Sequence, residues 1–71
     1  MPIFKKSLML QRIANEGRME AVTPDIMAIL DDLDNQPAST QCWARVVNDE
    51  PVLWVVGKSG QGLLVNEKDC V

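Results

Sequence analysis

A chain of 71 residues is one domain near the lower size at which a core sustains itself, where disulfides, metal or oligomerisation commonly add support. Its composition is globular, 46% apolar and 24% charged, and ten acidic against seven basic residues give a net charge of −3. That balance argues against a general binder of nucleic acid or anionic membrane, since both reward clustered Lys and Arg.

With no histidine and no Cys-x-x-Cys, a closed zinc site lacks its usual ligands. No metal and no cofactor is expected, which leaves oligomerisation as the natural supplement. The first ten residues mix charge with apolar side chains and contain no signal-peptide core. No apolar run approaches the roughly 20 residues of a membrane span. A cytoplasmic protein is the expectation.

In chain order, a first helix is expected over residues 4–16. Phe4, Leu8 and Gln11 lie along one line, Met9 pairs with Ile13 and Leu10 with Ala14, and Gly17 is the natural stop. The alternation in residues 2–10 equally allows this segment to begin as a strand. A second helix is expected over 24–35. Thr23 is placed to cap it, Pro24 suits the first helical position, and Asp25 sits at the positive end of the dipole. Val22 and Met27 have the spacing of a hydrophobic staple. Ile26, Met27, Leu30 and Leu33 make an apolar stripe that Ile29 widens, and Asn35 and Pro37 end it.

Beyond Ser39 the sequence turns β-rich. Segments 40–48, 51–57 and 62–67 hold Val, Leu and Trp and are divided by turn-forming residues. Such short connections imply an antiparallel meander with Val52–Val56 at its centre. The expected fold is therefore α+β, a single domain over 1–71 with two N-terminal helices packed on a three-stranded antiparallel β-meander, in the order α-α-β-β-β.

Gly57-Lys58-Ser59 has the ending of a phosphate-binding loop. Such a loop needs a glycine at position 52, where Val52 stands, and must open a helix. Gly60 and Gly62 oppose a helix, and Leu63-Leu64-Val65 reads as strand. The triplet is expected to be a hairpin turn.

Two-residue loops at Asp49-Glu50 and Ser59-Gly60 would set the sheet register. Ala44, Val55 and Leu64 then share one face with Val46 and Leu53. The other carries Trp43, Val56 and Leu63, then Arg45, Trp54 and Val65, then Val47 and Val52. A slip of one residue exchanges these sets. In either register both faces are largely apolar, and two short helices cover only one. The uncovered face is expected to be a contact surface, with Trp43, Arg45, Val47, Val52, Trp54, Val56, Leu63 and Val65 as the interface candidates. The same meander puts Cys42 and Cys70 at opposite ends of the sheet, on the order of 20 Å apart, too far for a disulfide.

Asp31, Asp32 and Asp34 read as a solvated helix face, and alternatively as a nucleic-acid-mimicking surface. Trp43, Trp54, Arg45 and Lys58 hold the ingredients of a stacking platform for single strands, without a basic stripe to accompany them. A helix-turn-helix is opposed by the long 17–23 connection and by the aspartates on the second helix. No serine or cysteine has an evident base partner, so no catalytic residue is assigned. These readings converge on a non-catalytic interaction or accessory protein, homodimeric and engaging an unidentified protein partner, with a nucleic-acid module or an acidic inhibitor as the alternatives.

Overall fold

The computed structural model describes residues 1–42 and 50–71. Its elements are α1 (Lys6–Asn15), a 3-10 turn (Met19–Ala21), α2 (Pro24–Leu33), β1 (Ala38–Cys42), β2 (Val52–Val56), β3 (Gly62–Asn66) and a closing 3-10 turn (Glu67–Asp69). Two helices followed by an antiparallel sheet of order β1-β2-β3 make an α+β fold.

Helix α2 forms for the reasons its sequence suggests. The Thr23 hydroxyl accepts the Ile26 N–H at 3.3 Å, with Pro24 opening the first turn. Leu30 and Leu33 are fully buried. The helix stops one turn before Pro37, where Asn35 takes the left-handed conformation (φ 65°) that asparagine tolerates. Helix α1 ends in a full Schellman motif. Gly17 (φ 70°) donates to the Ala14 carbonyl, and Arg18 donates to that of Ile13, both at 3.0 Å.

The start of α1 departs from expectation. Phe4 is not a helical residue. It is wholly buried and lies opposite Cys70, while Ile3 lies opposite Pro37. The strand-like alternation prevails because two other segments pair with it. Phe4 N–H donates to the Gln36 carbonyl at 3.0 Å and Lys5 N–H to that of Asp69 at 2.9 Å, while Ile3 and Val71 exchange bonds of 2.7 and 2.8 Å. The helix can begin only after these bonds are made. Asp34, from the end of α2, then accepts the Lys6 N–H at 2.9 Å, supplying a cap that Lys5 cannot. The C-terminal segment is thereby tied into the fold.

The core joins Phe4, Leu30, Leu33, Ala38, Leu53, Val55 and Val65, with Met9, Leu10, Ile29, Leu63 and Cys70 packed against it. Asp69 is the buried charged residue among those described. Arg12 grips it through Nε at 2.7 Å and Nη2 at 3.0 Å. Its second oxygen also accepts the Asn66 N–H at 3.1 Å, closing a capping box on the last turn.

Both expected registers require correction. At the first hairpin Val55 lies opposite Ala38, not Ala44, and Cys42 lies opposite Leu53, with an irregularity between the two pairs. Ala38 is held there by its own N–H, which donates to the Pro2 carbonyl at 2.9 Å, and by burial of its small side chain to 1% exposure. The pairings expected for residues 43–49 lie outside the described residues. At the second hairpin Val55 pairs with Leu63 and Leu53 with Val65, one residue out from the expected alignment. The loop holds three residues because Gly57, not Lys58, faces Gln61, donating to its carbonyl at 2.9 Å. Gly60 (φ 88°) then supplies the left-handed position that ends a three-residue loop.

The expected separation of the cysteines also changes. Cys42 shares a row with Leu53 and Val65, two interstrand spacings or about 10 Å from Val65. Cys42 therefore lies beside the C-terminal end of β3 and not at the far end of the sheet. Cys70 is a free thiol.

Candidate interaction surface

Because side chains alternate along a strand, the one-residue shift decides which residues face the helices. Leu53, Val55 and Val65 are buried, and Leu63 packs against the same core. Val52, Trp54, Val56, Gly62 and Leu64 therefore occupy the opposite face. There Val56 is 41% and Leu64 48% exposed, and Val52 and Trp54 are half-buried. Trp54 lies opposite Leu64, and its indole extends over Gly62. A Cβ at position 62 would stand 2.7 Å from Trp54 Cε2, so the missing side chain is what lets the ring lie flat across β3.

The interface candidates are thus divided. Val52, Trp54 and Val56 stand together on the face that the described helices leave uncovered, while Leu63 and Val65 belong to the covered one. Leu64, outside the expected set, takes a place beside Trp54. Trp43, Arg45 and Val47 lie outside the described residues. A sequence signal for the correct register did exist. A glycine at the third loop position, after Lys58-Ser59, suits a type I turn closed by a left-handed residue, and that turn implies three loop residues.

The Gly57-Lys58-Ser59 turn meets an anion of the chain's own. Ser59 donates to the Asp32 carboxylate through its hydroxyl at 2.6 Å and through its N–H at 3.3 Å. Gly57 permits this approach, since a Cβ there would lie 2.8 Å from the Asp32 carbonyl oxygen. The donors that might have met a phosphate are occupied by a side chain of α2.

Asp31 and Asp34 have partners as well. Asp31 pairs with Lys6, and Asp34 accepts the Lys6 N–H. The Lys6 ammonium is held above its ordinary pKa by the hydrogen bond and charge of Asp31, with a smaller contribution from Asp34. These contacts tie the end of α2 to α1 and to the β2–β3 turn. Lys58 opens onto the same cleft as Asp31, Asp32 and Asp34, whereas Trp54 lies on the uncovered sheet face.

At the far end of β3, Glu50 accepts from Lys68 Nζ at 2.7 Å and from the Asn66 side-chain amide. Its carboxyl is drawn below the ordinary range, first by the Lys68 hydrogen bond and then by that of Asn66. The Cys70 thiol is pushed up, chiefly by burial and then by the charges of Asp69 and Glu67. On the helical side, an apolar groove of about 230 Å³ runs between Met9, Ile13, Val22, Ile26, Ile29 and Leu63. Among the described residues, no three His, Cys, Asp or Glu side chains converge as metal ligands would. No described helix is long and apolar enough to cross a membrane.

Comparison with known proteins yields no match among family models, curated proteins or solved structures.

Proposed function

We propose that this chain is a small, non-catalytic interaction protein of the cytoplasm that acts as a homodimer and presents its sheet to a protein partner. The observation that carries the reading is the uncovered face of Val52, Trp54, Val56 and Leu64, contributed by neighbouring strands of one sheet. Apolar surface of this kind is stabilised by leaving water, at roughly 25 cal/mol per Å^2. A contiguous apolar patch on a small soluble domain usually marks a contact surface. The size of the chain points the same way, since a 71-residue fold gains from burying further apolar area against a second copy.

Sedimentation equilibrium over a wide concentration range tests the proposal. A dimer is expected, and Trp54→Ser together with Leu64→Ser should weaken it at least tenfold while the far-UV circular dichroism stays unchanged. A chain that remains monomeric at millimolar concentration would sink the reading.

A further inference from the structure

We propose that the second copy joins through the outer edge of β3, pairing antiparallel so that Gly62 of each chain faces Leu64 of the other and a six-stranded sheet results. This mode rests on the self-association proposed above and adds the register by which it occurs.

The backbone alternation identifies the free groups. Gln61 accepts from Gly57, and Glu67 donates to the Pro51 carbonyl at 3.1 Å, so the odd-numbered residues of this stretch face β2. Gly62, Leu64 and Asn66 therefore turn their N–H and C=O groups outward. The Asn66 N–H is held by Asp69 at 3.1 Å. Gly62 and Leu64 bond no other described residue on that side. Among the described residues, the outward donors available along β3 are those two.

Two symmetric registers can be compared. Centring the pair on Leu64 sets it against itself and brings Gly62 opposite Asn66 of the second copy, whose donor is already engaged. Centring on Leu63 sets Gly62 against Leu64 twice, and each such pair exchanges both N–H···O bonds. The outward N–H and C=O groups of Gly62 and Leu64 are then all matched by those of the second copy, the self-complementarity a two-fold interface needs.

The side chains fit the same register. An antiparallel edge pair has its two-fold axis perpendicular to the sheet, so the uncovered faces of both copies lie on one side. Leu64 of the second copy then arrives beside Gly62, against the edge of the Trp54 indole that fills the space over that glycine. Sheet edges are commonly guarded by charge, proline or a bulge. Residues 62–65 are Gly-Leu-Leu-Val and carry no such guard.

Amide hydrogen exchange of the intact chain, followed by NMR below and above the association concentration, tests this. The amides of Gly62 and Leu64 should slow by at least roughly tenfold in the dimer, as expected for newly protected strand hydrogens. Leu64→Lys, a charge at an already exposed position, should return the chain to monomer. The wild-type exchange data decide the matter should that variant fail to fold. A dimer in which the Gly62 and Leu64 amides exchange as fast as in the monomer would overturn the edge register while leaving self-association intact. A monomer at every concentration would overturn both.

Discussion

Arg12 and Asp69, at opposite ends of the chain, form a two-pronged ion pair in which the carboxylate is completely buried and the guanidinium reaches solvent along one side. Asp69 holds the guanidinium charged well above its ordinary range. The pair ties the last turn to the middle of α1. Removing one partner leaves the other charge uncompensated, which is the costly way to break a buried pair.

Arg12→Ala should therefore destabilise the fold by about 3–5 kcal/mol. Against a total stability near the low end of the usual range, about 5 kcal/mol, this leaves about 0–2 kcal/mol, so a measurable fraction of the variant should be unfolded at room temperature. Urea denaturation followed by tryptophan fluorescence measures this. Arg12→Met combined with Asp69→Leu should recover much of the loss, because neither charge is then left alone.

The Asp32–Ser59 contact makes a graded pair of predictions. Ser59→Ala removes an exposed hydrogen bond and should cost no more than about 1 kcal/mol. Gly57→Ala should cost about 1–3 kcal/mol, the range for overpacking, because its Cβ would press within 2.8 Å of the Asp32 backbone oxygen. Equilibrium denaturation of the two variants should rank them in that order. A phosphate-binding loop would instead show phosphate-dependent stabilisation, and none is expected.

Folding should weaken in acid partly through Glu50. Its folded-state pKa is depressed by Lys68 and Asn66, so its contribution is fully present above its ordinary value of 4.5. It is lost as pH falls through the lowered folded value, because the unfolded state binds the proton first. Denaturation midpoints of the wild type and Glu50→Gln should differ most near neutrality, with the wild type the more stable, and converge as the pH falls below 4.5 and through the lowered folded value.

Cys70 should alkylate slowly. Burial and the adjacent Asp69 and Glu67 charges raise its thiol pKa, so less thiolate is present than in an unperturbed cysteine. In a Cys42→Ser background, iodoacetamide at pH 8 should modify folded Cys70 several-fold more slowly than the urea-unfolded chain, as followed by mass spectrometry. The raised folded pKa also means that Cys70 favours folding less as pH climbs above the ordinary thiol value of 9.0.

Several parts of this protein are determined by local sequence alone. Thr23-Pro24-Asp25 sets the start of α2, Gly17 closes α1, and the order α-α-β-β-β follows from periodicity and turn residues. Each depends on groups within about one turn of each other along the chain, so neighbouring residues contain the whole argument. The start of α1 does not. Its alternating pattern is compatible with helix and strand, and the choice falls to Gln36, Asp69 and Val71, which compete for the same backbone groups.

The identity of the uncovered face was likewise decided by tertiary structure. Gly57-Lys58-Ser59-Gly60 announces a turn and Gly60 suits a three-residue loop, but a two-residue loop fits the same stretch, and the alignment of β2 and β3 against the helices selects between them. Asp32 reaches in from α2 to grip Ser59. Gly62 leaves room for Trp54, and core packing draws Leu63 and Val65 inward with Leu53 and Val55. A strand has a side-chain period of two, so moving one residue across the hairpin exchanges its faces. Sequence patterning raised the expectation of more apolar sheet surface than two helices can cover; long-range packing placed Leu64 beside Trp54 on the side that the described helices leave open.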